Sequence, residues 1–266
     1  MKQTLQSNIH PTAIIDSDAS VGLGVTIGPY AVIEGDVIIG DRCEIGPHAV
    51  IGEGTRLGDG CRIFPGAAIG LIPQDKKFSG EKTRTVIGNN TLIREYVTIN
   101  RGSSARGETS IGSDCWIMAY CHIAHDCIIG DDVTISNSLA MAGHVEIGNH
   151  VNIGGVCSFH QFVHVGDHAF IQATSYVTQD VIPYALTGAN PLRIVDINKI
   201  GLERHGFSET RRRDIKRAYK TIFRESRTLE EALAVIEQQF PGNSDITLLV
   251  DFVKNSGRGL MRMNGY

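Results

Sequence analysis

Aliphatic side chains recur at every sixth residue over most of the chain. The series runs from Ile9 to Ile69, resumes from Ile87 to Ile99 and continues from Ile111 to Val177. This period matches neither the 3.6 residues of a helical turn nor the two-residue alternation of a half-buried strand. Short strands joined by tight turns fit it, because each repeat then turns one aliphatic side chain inward.

Three such repeats close one triangular coil, and successive coils stack at the strand spacing of about 4.8 Å. Stacked coils bury a continuous ladder of Ile and Val side chains. The period therefore predicts a mainly β fold, a parallel β-helix of hexapeptide repeats, over residues 1–190. Polar segments at 71–86 and 101–110 interrupt the period and predict two excursions from the coil.

Residues 191–266 lose the six-residue period and show helical spacing, which predicts a C-terminal α-helical domain packed on the end of the coil. Ser208 is a candidate helix N-cap. Thr228, with Glu231 three residues later, is a candidate capping box. A further helix is predicted at about 245–255.

Charge is distributed unevenly along the chain. The net charge is −4, but residues 1–190 hold 11 Lys and Arg against 19 Asp and Glu, and residues 191–266 hold 14 against 10. A basic end favours an acidic partner or a solvated helix face. Each of the six cysteines lies two residues before an aliphatic position, which predicts reduced core thiols. The chain shows neither a secretory signal nor a membrane span, so a cytoplasmic protein is expected.

Polar residues spaced by three repeats stack on one edge of the predicted coil. The residues that this register brings together are His122, His125, Asp126, Gly143, His144, His160 and Gln161. An imidazole beside a free backbone N–H suits acyl transfer, because the base deprotonates a hydroxyl while the amide stabilises the oxyanion. No Ser or Cys is evidently paired with a histidine, which favours direct transfer over an acyl-enzyme. For any single histidine, a structural turn residue is the alternative.

Several motifs resemble the UDP-N-acetylglucosamine 3-O-acyltransferase family. They are His122-Ile-Ala-His125-Asp126, Ala142-Gly143-His144-Val145, His160-Gln161-Phe162, Pro73-Gln74-Asp75-Lys76-Lys77 and Gly201-Leu202-Glu203-Arg204. The resemblance covers nearly the whole chain and implies that the coil is left-handed. It also implies transfer of a (3R)-3-hydroxyacyl chain from acyl carrier protein to the 3-hydroxyl of UDP-N-acetylglucosamine. This reaction is the first step of lipid A biosynthesis and needs no cofactor.

The resemblance further implies roles for individual residues. His125 is implied as the general base, Asp126 as the group that orients or polarises it, and Gly143 as the oxyanion donor. The implied substrate-binding residues are Gln74, Asp75, Lys77, His122, His144, His160, Gln161, Asn198 and Arg204. Ala173 matches the position that limits acyl-chain length. Because Asp126 only orients the base, its replacement by Asn is expected to cost less activity than loss of His125.

Some positions depart from the family pattern, and they leave the details of nucleotide binding open. Ile200 stands where a carboxylate often meets the ribose, His205 where arginine is common, and Tyr120 where asparagine is usual. The family forms homotrimers with sites between adjacent coils. The basic residues that could receive the acidic carrier protein are Arg211, Arg212, Arg213, Lys216, Arg217 and Lys220.

One alternative is a zinc enzyme of the carbonic anhydrase type, in which His122, His125 and His144 bind the metal and leave a fourth position open. That interpretation gives no role to Asp126 or to the Gln-Asp-x-Lys motif, so no metal is expected at this edge. A binding module without chemistry would not need several histidines together. A related N-acyltransferase family carries an extra N-terminal domain; because the repeat begins at Ile9, we do not expect this chain to belong to that family.

Overall fold

Short strands wind around the long axis of the molecule in coils of three. The structure, a computed structural model, describes residues 7–225 and 228–263. The strands before the second excursion are β1 (Asn8–Ile9), β2 (Ile14–Ile15), β3 (Ser20–Val21), β4 (Thr26–Ile27), β5 (Val32–Ile33), β6 (Ile38–Ile39), β7 (Glu44–Ile45), β8 (Val50–Ile51), β9 (Thr55–Leu57), β10 (Arg62–Ile63), β11 (Ala68–Leu71), β12 (Arg84–Ile87), β13 (Leu92–Ile93) and β14 (Thr98–Asn100). Those after it are β15 (Glu108–Ile111), β16 (Trp116–Ile117), β17 (His122–Ile123), β18 (Ile128–Ile129), β19 (Thr134–Ile135), β20 (Ala140–Met141), β21 (Glu146–Ile147), β22 (Asn152–Ile153), β23 (Ser158–Phe159), β24 (His164–Val165), β25 (Phe170–Ile171), β26 (Tyr176–Val177), β27 (Ala185–Gly188) and β28 (Arg193–Ile197).

As far as β26, every third strand joins the same sheet, so the strands form three sheets around the coil. The sheet that begins with β1 has eleven strands, the one that begins with β2 has nine, and the one that begins with β3 has eight. Ile117 pairs with Ile135 and Ile135 with Ile153, one coil apart each time. This register confirms the predicted parallel β-helix of hexapeptide repeats.

Two positions of each repeat point into the coil. The aliphatic residue that ends a strand is one of them, and Ile123, for example, is fully buried. The other position lies two residues earlier, where Cys121 is also buried. All six cysteines are buried and free, which confirms that they are core thiols.

The turn after most strands is tight and uses the left-handed backbone region. The residue three positions after the inward aliphatic residue has a positive φ, as at Asp126 (60°), His144 (62°) and His150 (58°). Asp, Asn and His tolerate this conformation better than most side chains. The turns therefore place polar and imidazole side chains on the edges of the coil.

The two excursions occupy 72–83 and 101–107, between strands that continue the coil. The sequence placed them at 71–86 and 101–110, so the flanking strands are longer than predicted. Thr85 and Thr109 account for much of the difference. Both side chains are fully buried, and they pair with each other where β12 meets β15.

A hairpin that the sequence did not predict follows the last complete coil. β27 pairs in parallel with β25 and antiparallel with β28, so the hairpin extends the eleven-stranded sheet. The expected domain boundary at residue 190 falls in the turn of this hairpin. The two parts of the chain are thus joined by a shared sheet.

Helices cover the end of the coil. They are α1 (Lys199–Arg204), α2 (Glu209–Lys220), the π-helical segment Thr221–Glu225, α3 (Leu229–Gln239) and α4 (Ser244–Lys254). Ser208 caps α2, and Thr228 with Glu231 forms the predicted capping box of α3. The Tyr219 hydroxyl donates to the carbonyl of Pro183, which ties α2 to the coil. Within the described ranges, no helix is long and apolar enough to cross a membrane.

Candidate active site

The coil has three edges, and the predicted site residues are distributed over all of them. The site edge follows the strands of the nine-stranded sheet and contains residues 125–126, 143–144 and 161–162. The helix edge follows the eight-stranded sheet and contains 131–132, 149–150 and 167–168. The third edge follows the eleven-stranded sheet and contains 119–120, 155–156 and 173–174.

On the site edge, a buried carboxylate orients His125. Nδ1 of His125 lies 2.7 Å from Oδ2 of Asp126, a side chain that is completely buried. The hydroxyl of Ser103 donates to the same oxygen at 2.6 Å, and the backbone N–H of Ser103 donates to Oδ1 at 2.9 Å. The Thr109 hydroxyl accepts from the backbone N–H of Asp126 at 2.8 Å. Ser103 and His125 therefore hold the carboxylate, and Thr109 holds the backbone of Asp126.

This environment keeps Asp126 ionised and His144 neutral near pH 7. Burial alone would raise the pKa of Asp126, but the hydrogen bonds from Ser103 and His125 hold that pKa below its ordinary value. Burial lowers the pKa of His144, although Asp126 opposes the change. An ionised Asp126 accepts a hydrogen bond from Nδ1 of His125, which leaves Nε2 as the nitrogen that can accept a proton from a substrate.

Gly143 lies directly against the His125 ring, on the side of Cε1 and Nε2. A Cβ atom at position 143 would stand 2.7 Å from Cε1 and 2.9 Å from Nε2 of His125. His144 meets the same ring edge-to-face, with 5.2 Å between centroids, and stacks on Phe162 at 4.6 Å. Among the described residues, the N–H of Gly143 donates to no acceptor. A backbone donor and an imidazole base are thus adjacent, as predicted.

The first excursion brings a second carboxylate to the free nitrogen of His125. Oδ2 of Asp75 lies 4.0 Å from Nε2 of His125, and Oδ1 accepts from the backbone N–H of Lys77 at 3.0 Å. Gln74 and Lys77 have exposed side chains in the same segment. The Gln-Asp-x-Lys motif therefore lies beside the histidine site, as its resemblance implied.

Two further predicted residues of this part of the coil, His122 and His160, bond to other groups. Nδ1 of His122 hydrogen-bonds to the hydroxyl of Thr98 at 2.7 Å, and burial lowers the pKa of His122. His160 is linked through Nδ1 to the carbonyl of Gln161 at 3.1 Å. Neither residue contacts His125 through a hydrogen bond within the described part of the chain.

Three predicted residues lie elsewhere in the same chain. Asn198 is buried at the helix edge, where its Nδ2 donates to the carbonyl of His168 at 2.9 Å and its Oδ1 caps α1. Arg204 ends the same short helix, with an exposed side chain. Ala173 is an exposed turn residue of the third edge and lines a cavity of about 720 Å³. One chain alone does not assemble these residues around His125.

Sequence reasoning missed the hydroxyl residues that support the site. Ser103 belongs to the second excursion, and Thr109 is an inward residue of β15. Their closeness to Asp126 depends on how the excursion returns to the coil, which the six-residue period does not describe. The one available signal was the excursion itself, a polar segment inserted one coil before His125.

Comparison with known proteins assigns the chain to a family. Residues 180–261 match the model for UDP-N-acetylglucosamine O-acyltransferase, domain 2, and residues 18–53 and 108–138 match the bacterial transferase hexapeptide model. The acyl-[acyl-carrier-protein]–UDP-N-acetylglucosamine O-acyltransferase of Paracidovorax citrulli is 51% identical over 261 residues, covering 96% of this chain and all of the relative. That of Halorhodospira halophila is 46% identical over 257 residues, with the same coverage of both chains. The chain belongs to the UDP-N-acetylglucosamine O-acyltransferase family.

Solved structures of this family share the fold. LpxA from Acinetobacter baumannii is 39% identical, with a TM-score of 0.93 over 96% of this chain and 99% of its own. The UDP-N-acetylglucosamine acyltransferase of Bacteroides fragilis is 41% identical, with a TM-score of 0.93 over 95% and 99% of the two chains. Membership of the family confirms the resemblance seen in the motifs. It does not favour the carbonic anhydrase alternative.

Proposed function

We propose that the protein transfers a 3-hydroxyacyl chain from acyl carrier protein to the 3-hydroxyl of UDP-N-acetylglucosamine, the first step of lipid A biosynthesis. The names of the full-length relatives support the two substrates and the reaction. The observation in this chain that carries the proposal is the arrangement of His125. Its Nδ1 is engaged by Asp126, and its Nε2 is directed toward the Gln-Asp-x-Lys segment.

In the proposed reaction, Nε2 of His125 removes the proton from the sugar hydroxyl as the oxygen attacks the thioester carbonyl. Asp126 stabilises the imidazolium that forms. The N–H of Gly143 donates to the oxyanion of the tetrahedral intermediate. When the intermediate collapses, the carbon–sulfur bond breaks and His125 returns its proton to the leaving thiol. No residue of the chain becomes acylated.

Substrate binding is assigned on the same geometry. The 4.0 Å separation of the Asp75 carboxylate from Nε2 of His125 suits a sugar hydroxyl held between them. Lys77 has an exposed side chain two residues later, in reach of a phosphate of the same substrate. We assign His122, His144, His160 and Gln161 to contacts with the nucleotide sugar, because the spacing of three repeats stacks them with His125 along one side of the coil. Gln74 joins them from the first excursion.

We further propose that the working unit is a homotrimer with a site in each cleft. His125, the pair Asn198 and Arg204, and Ala173 lie on three different edges of one coil, so no single cleft of one chain contains them all. Packing of coils side by side brings edges of neighbouring copies together. In that arrangement, Asn198 and Arg204 of one copy contact the nucleotide, and Ala173 limits the acyl chain in the same cleft.

The carrier protein is proposed to dock on α2. Arg213, Lys216 and Arg217 line a cavity of about 380 Å³ beside this helix. Nζ of Lys216 forms an ion pair with Oδ2 of Asp196 at 3.0 Å, so part of the basic charge of α2 is balanced within the chain. An acidic carrier protein would then interact with Arg213 and Arg217. The buried free thiols support a reducing compartment, and we place the reaction in the cytoplasm.

Replacing His125 by Ala tests the catalytic assignment. We expect acyl transfer to fall by roughly 10²–10⁴-fold, the range for a general base, while the thermal unfolding midpoint stays near that of the wild type. His48→Asn, at a turn residue that stacks on Tyr30 far along the coil, is the matched control and should keep full activity. Near-normal turnover of His125→Ala would refute the assignment.

Mixed trimers test whether the site is shared between copies. The variants His125→Ala and Arg204→Ala are each expected to be weakly active alone. Co-expression produces clefts in which an intact His125 from one copy faces an intact Arg204 from another, so activity should partly return. No recovery in mixtures that sedimentation shows to be trimers would place both residues in the same copy's site.

A further inference from the structure

A second cluster of histidines lies on the helix edge, outside the site described above. Asp132 and His150 occupy left-handed turn positions of successive coils, and His205 is the C-cap of α1. Nδ1 of His150 is 2.9 Å from Oδ2 of Asp132, and Nε2 of His205 is 3.9 Å from the same oxygen. One potential ligand atom from each residue lies within 4.8 Å of those of the other two.

We propose that Asp132, His150 and His205 form a binding site for a divalent transition metal ion such as Zn²⁺. Two imidazoles and one carboxylate are the protein ligands of many three-ligand zinc sites, in which water takes the fourth position. Metal–ligand bonds of about 2.0–2.1 Å place tetrahedral ligand atoms roughly 3.3 Å apart. The two measured separations from the Asp132 oxygen, 2.9 Å and 3.9 Å, lie on either side of that value.

Neighbouring aromatic rings hold the proposed ligands in place. The ring of His168 stacks on His150 with 4.6 Å between centroids and meets His205 at 5.1 Å. The Phe207 ring also packs edge-to-face with the His168 ring, with 5.0 Å between centroids. Rings that are positioned before the metal arrives lose less conformational entropy on binding. His168 is thus a positioning residue of the proposed site.

Solvent reaches the cluster through a cavity of about 500 Å³. Arg211 borders this cavity, and a free guanidinium there would repel a cation. Its charge is balanced, however, because two of its nitrogens bond the carboxylate of Asp245 at 2.7 Å and 2.8 Å. The side chain of Asp132 is half exposed, so a hydrated metal ion can approach its oxygen atoms.

The active site contains a second set of possible ligands, and metal binding would break more hydrogen bonds there than at the helix edge. Potential ligand atoms of His125, Asp126 and His144 also lie within 4.8 Å of one another. The Asp126 carboxylate is completely buried and already accepts hydrogen bonds from Ser103 and His125. A metal bound there would break these buried hydrogen bonds. A metal bound to Asp132 would replace only its hydrogen bond with His150, and the Asp132 side chain is half exposed. The helix edge is therefore the favoured site.

The proposed ligands come from two parts of the chain. Asp132 and His150 belong to the coil, and His205 belongs to α1, which also contains Arg204. A bound metal would fasten this helix to the coil. Because the ligands are assembled only in the folded protein, binding should raise the stability of the fold.

The test uses the full-length protein without a histidine tag, first stripped of metal with a chelator. Zn²⁺ is titrated by calorimetry, and Co²⁺ is followed by the visible absorption of its imidazole-bound form. We expect one metal ion per chain and, at a hundredfold excess over the dissociation constant, a thermal midpoint raised by roughly 5–10 °C. Asp132→Asn, His150→Asn and His205→Ala should each weaken binding at least about tenfold and remove the thermal shift.

The matched control is His48→Asn, because His48 and His150 have the same left-handed backbone, with φ of 56° and 58°. It should bind the metal as the wild type does. Unchanged affinity in His150→Asn and His205→Ala would overturn the proposal. So would loss of binding in His125→Ala with binding kept in those two variants, since the metal would then occupy the active site.

Discussion

Replacement of Asp126 by Asn should prevent His125 from acting as a base, rather than only make its orientation less fixed. The backbone N–H of Ser103 donates to Oδ1 at 2.9 Å, so this position must remain an oxygen in the amide. The NH₂ group then occupies the position of Oδ2, 2.7 Å from Nδ1 of His125. It donates to Nδ1 there, and the imidazole proton moves to Nε2, the nitrogen that must be free to accept a proton.

The expected loss is therefore about as large as that for His125→Ala, roughly 10²–10⁴-fold in turnover. This differs from the expectation drawn from the sequence, which gave Asp126 a lesser cost because it only orients the base. Asn also accepts the left-handed backbone of position 126, where φ is 60°, so the fold should be kept.

Asp126→Ala distinguishes a changed tautomer of His125 from the simple loss of the group that orients it. Without a donor at position 126, the His125 ring can take either tautomer, so each folded molecule should retain more activity than Asp126→Asn. Stability should change in the opposite order, because Ala removes the acceptor of the buried Ser103 N–H, at about 1–3 kcal/mol, and leaves the Ser103 hydroxyl only its bond from the N–H of Ala105.

Steady-state turnover, thermal unfolding and ¹⁵N NMR of the His125 ring measure the three quantities. We expect turnover to fall in the order wild type, Asp126→Ala, Asp126→Asn, because of the tautomer set at His125. We expect Asp126→Asn to be more stable than Asp126→Ala, because it keeps an acceptor for Ser103. Turnover of Asp126→Asn within about tenfold of the wild type, or a ring that still carries its proton on Nδ1, would refute the tautomer explanation.

Three further perturbations test the parts around the base. Gly143→Ala puts a Cβ 2.7 Å from Cε1 of His125, so displacement of the ring should cost about 10–100-fold in turnover. Gly155→Ala, whose Cβ would lie 3.3 Å from the carbonyl oxygen of Asn137, is the control and should have little effect. Lys77→Ala should raise KM for the nucleotide sugar more than it lowers kcat; collapsed kcat at unchanged KM would indicate a transition-state role instead. Ala173→Gly should shift donor preference to longer chains and Ala173→Met to shorter ones, and competition assays that show no shift with either variant would remove Ala173 from the acyl tunnel.

The six-residue period predicted the parts of the site that belong to regular coils. Because each repeat turns one aliphatic side chain inward, the spacing of three repeats places Gly143 and His144 beside His125 without further information. The same register accounts for Ala173, which follows the inward Ile171 by two residues and is an exposed turn residue.

Residues positioned by irregular segments could not be found in this way. Ser103 reaches Asp126 from an excursion, and the path of that loop is set by tertiary contacts rather than by the period. The β27–β28 hairpin likewise depends on pairing with the edge of the last coil. The eighteen-residue spacing aligns Asp132, His150 and His168 on one edge. His205 joins them only because α1 packs on the helix edge, so the period does not reveal its place in the second histidine cluster.

The most direct test of the proposed reaction is mass spectrometry of its product. Purified protein is incubated with UDP-N-acetylglucosamine and a mixture of 3-hydroxyacyl carrier-protein thioesters of different lengths, and the 3-amino analogue of the sugar is offered in a parallel reaction. We predict a product with one 3-hydroxyacyl chain on the 3-hydroxyl, formed by the wild type and lost in His125→Ala. Product formation that persists in His125→Ala, or acylation of the amino sugar alone, would contradict this prediction.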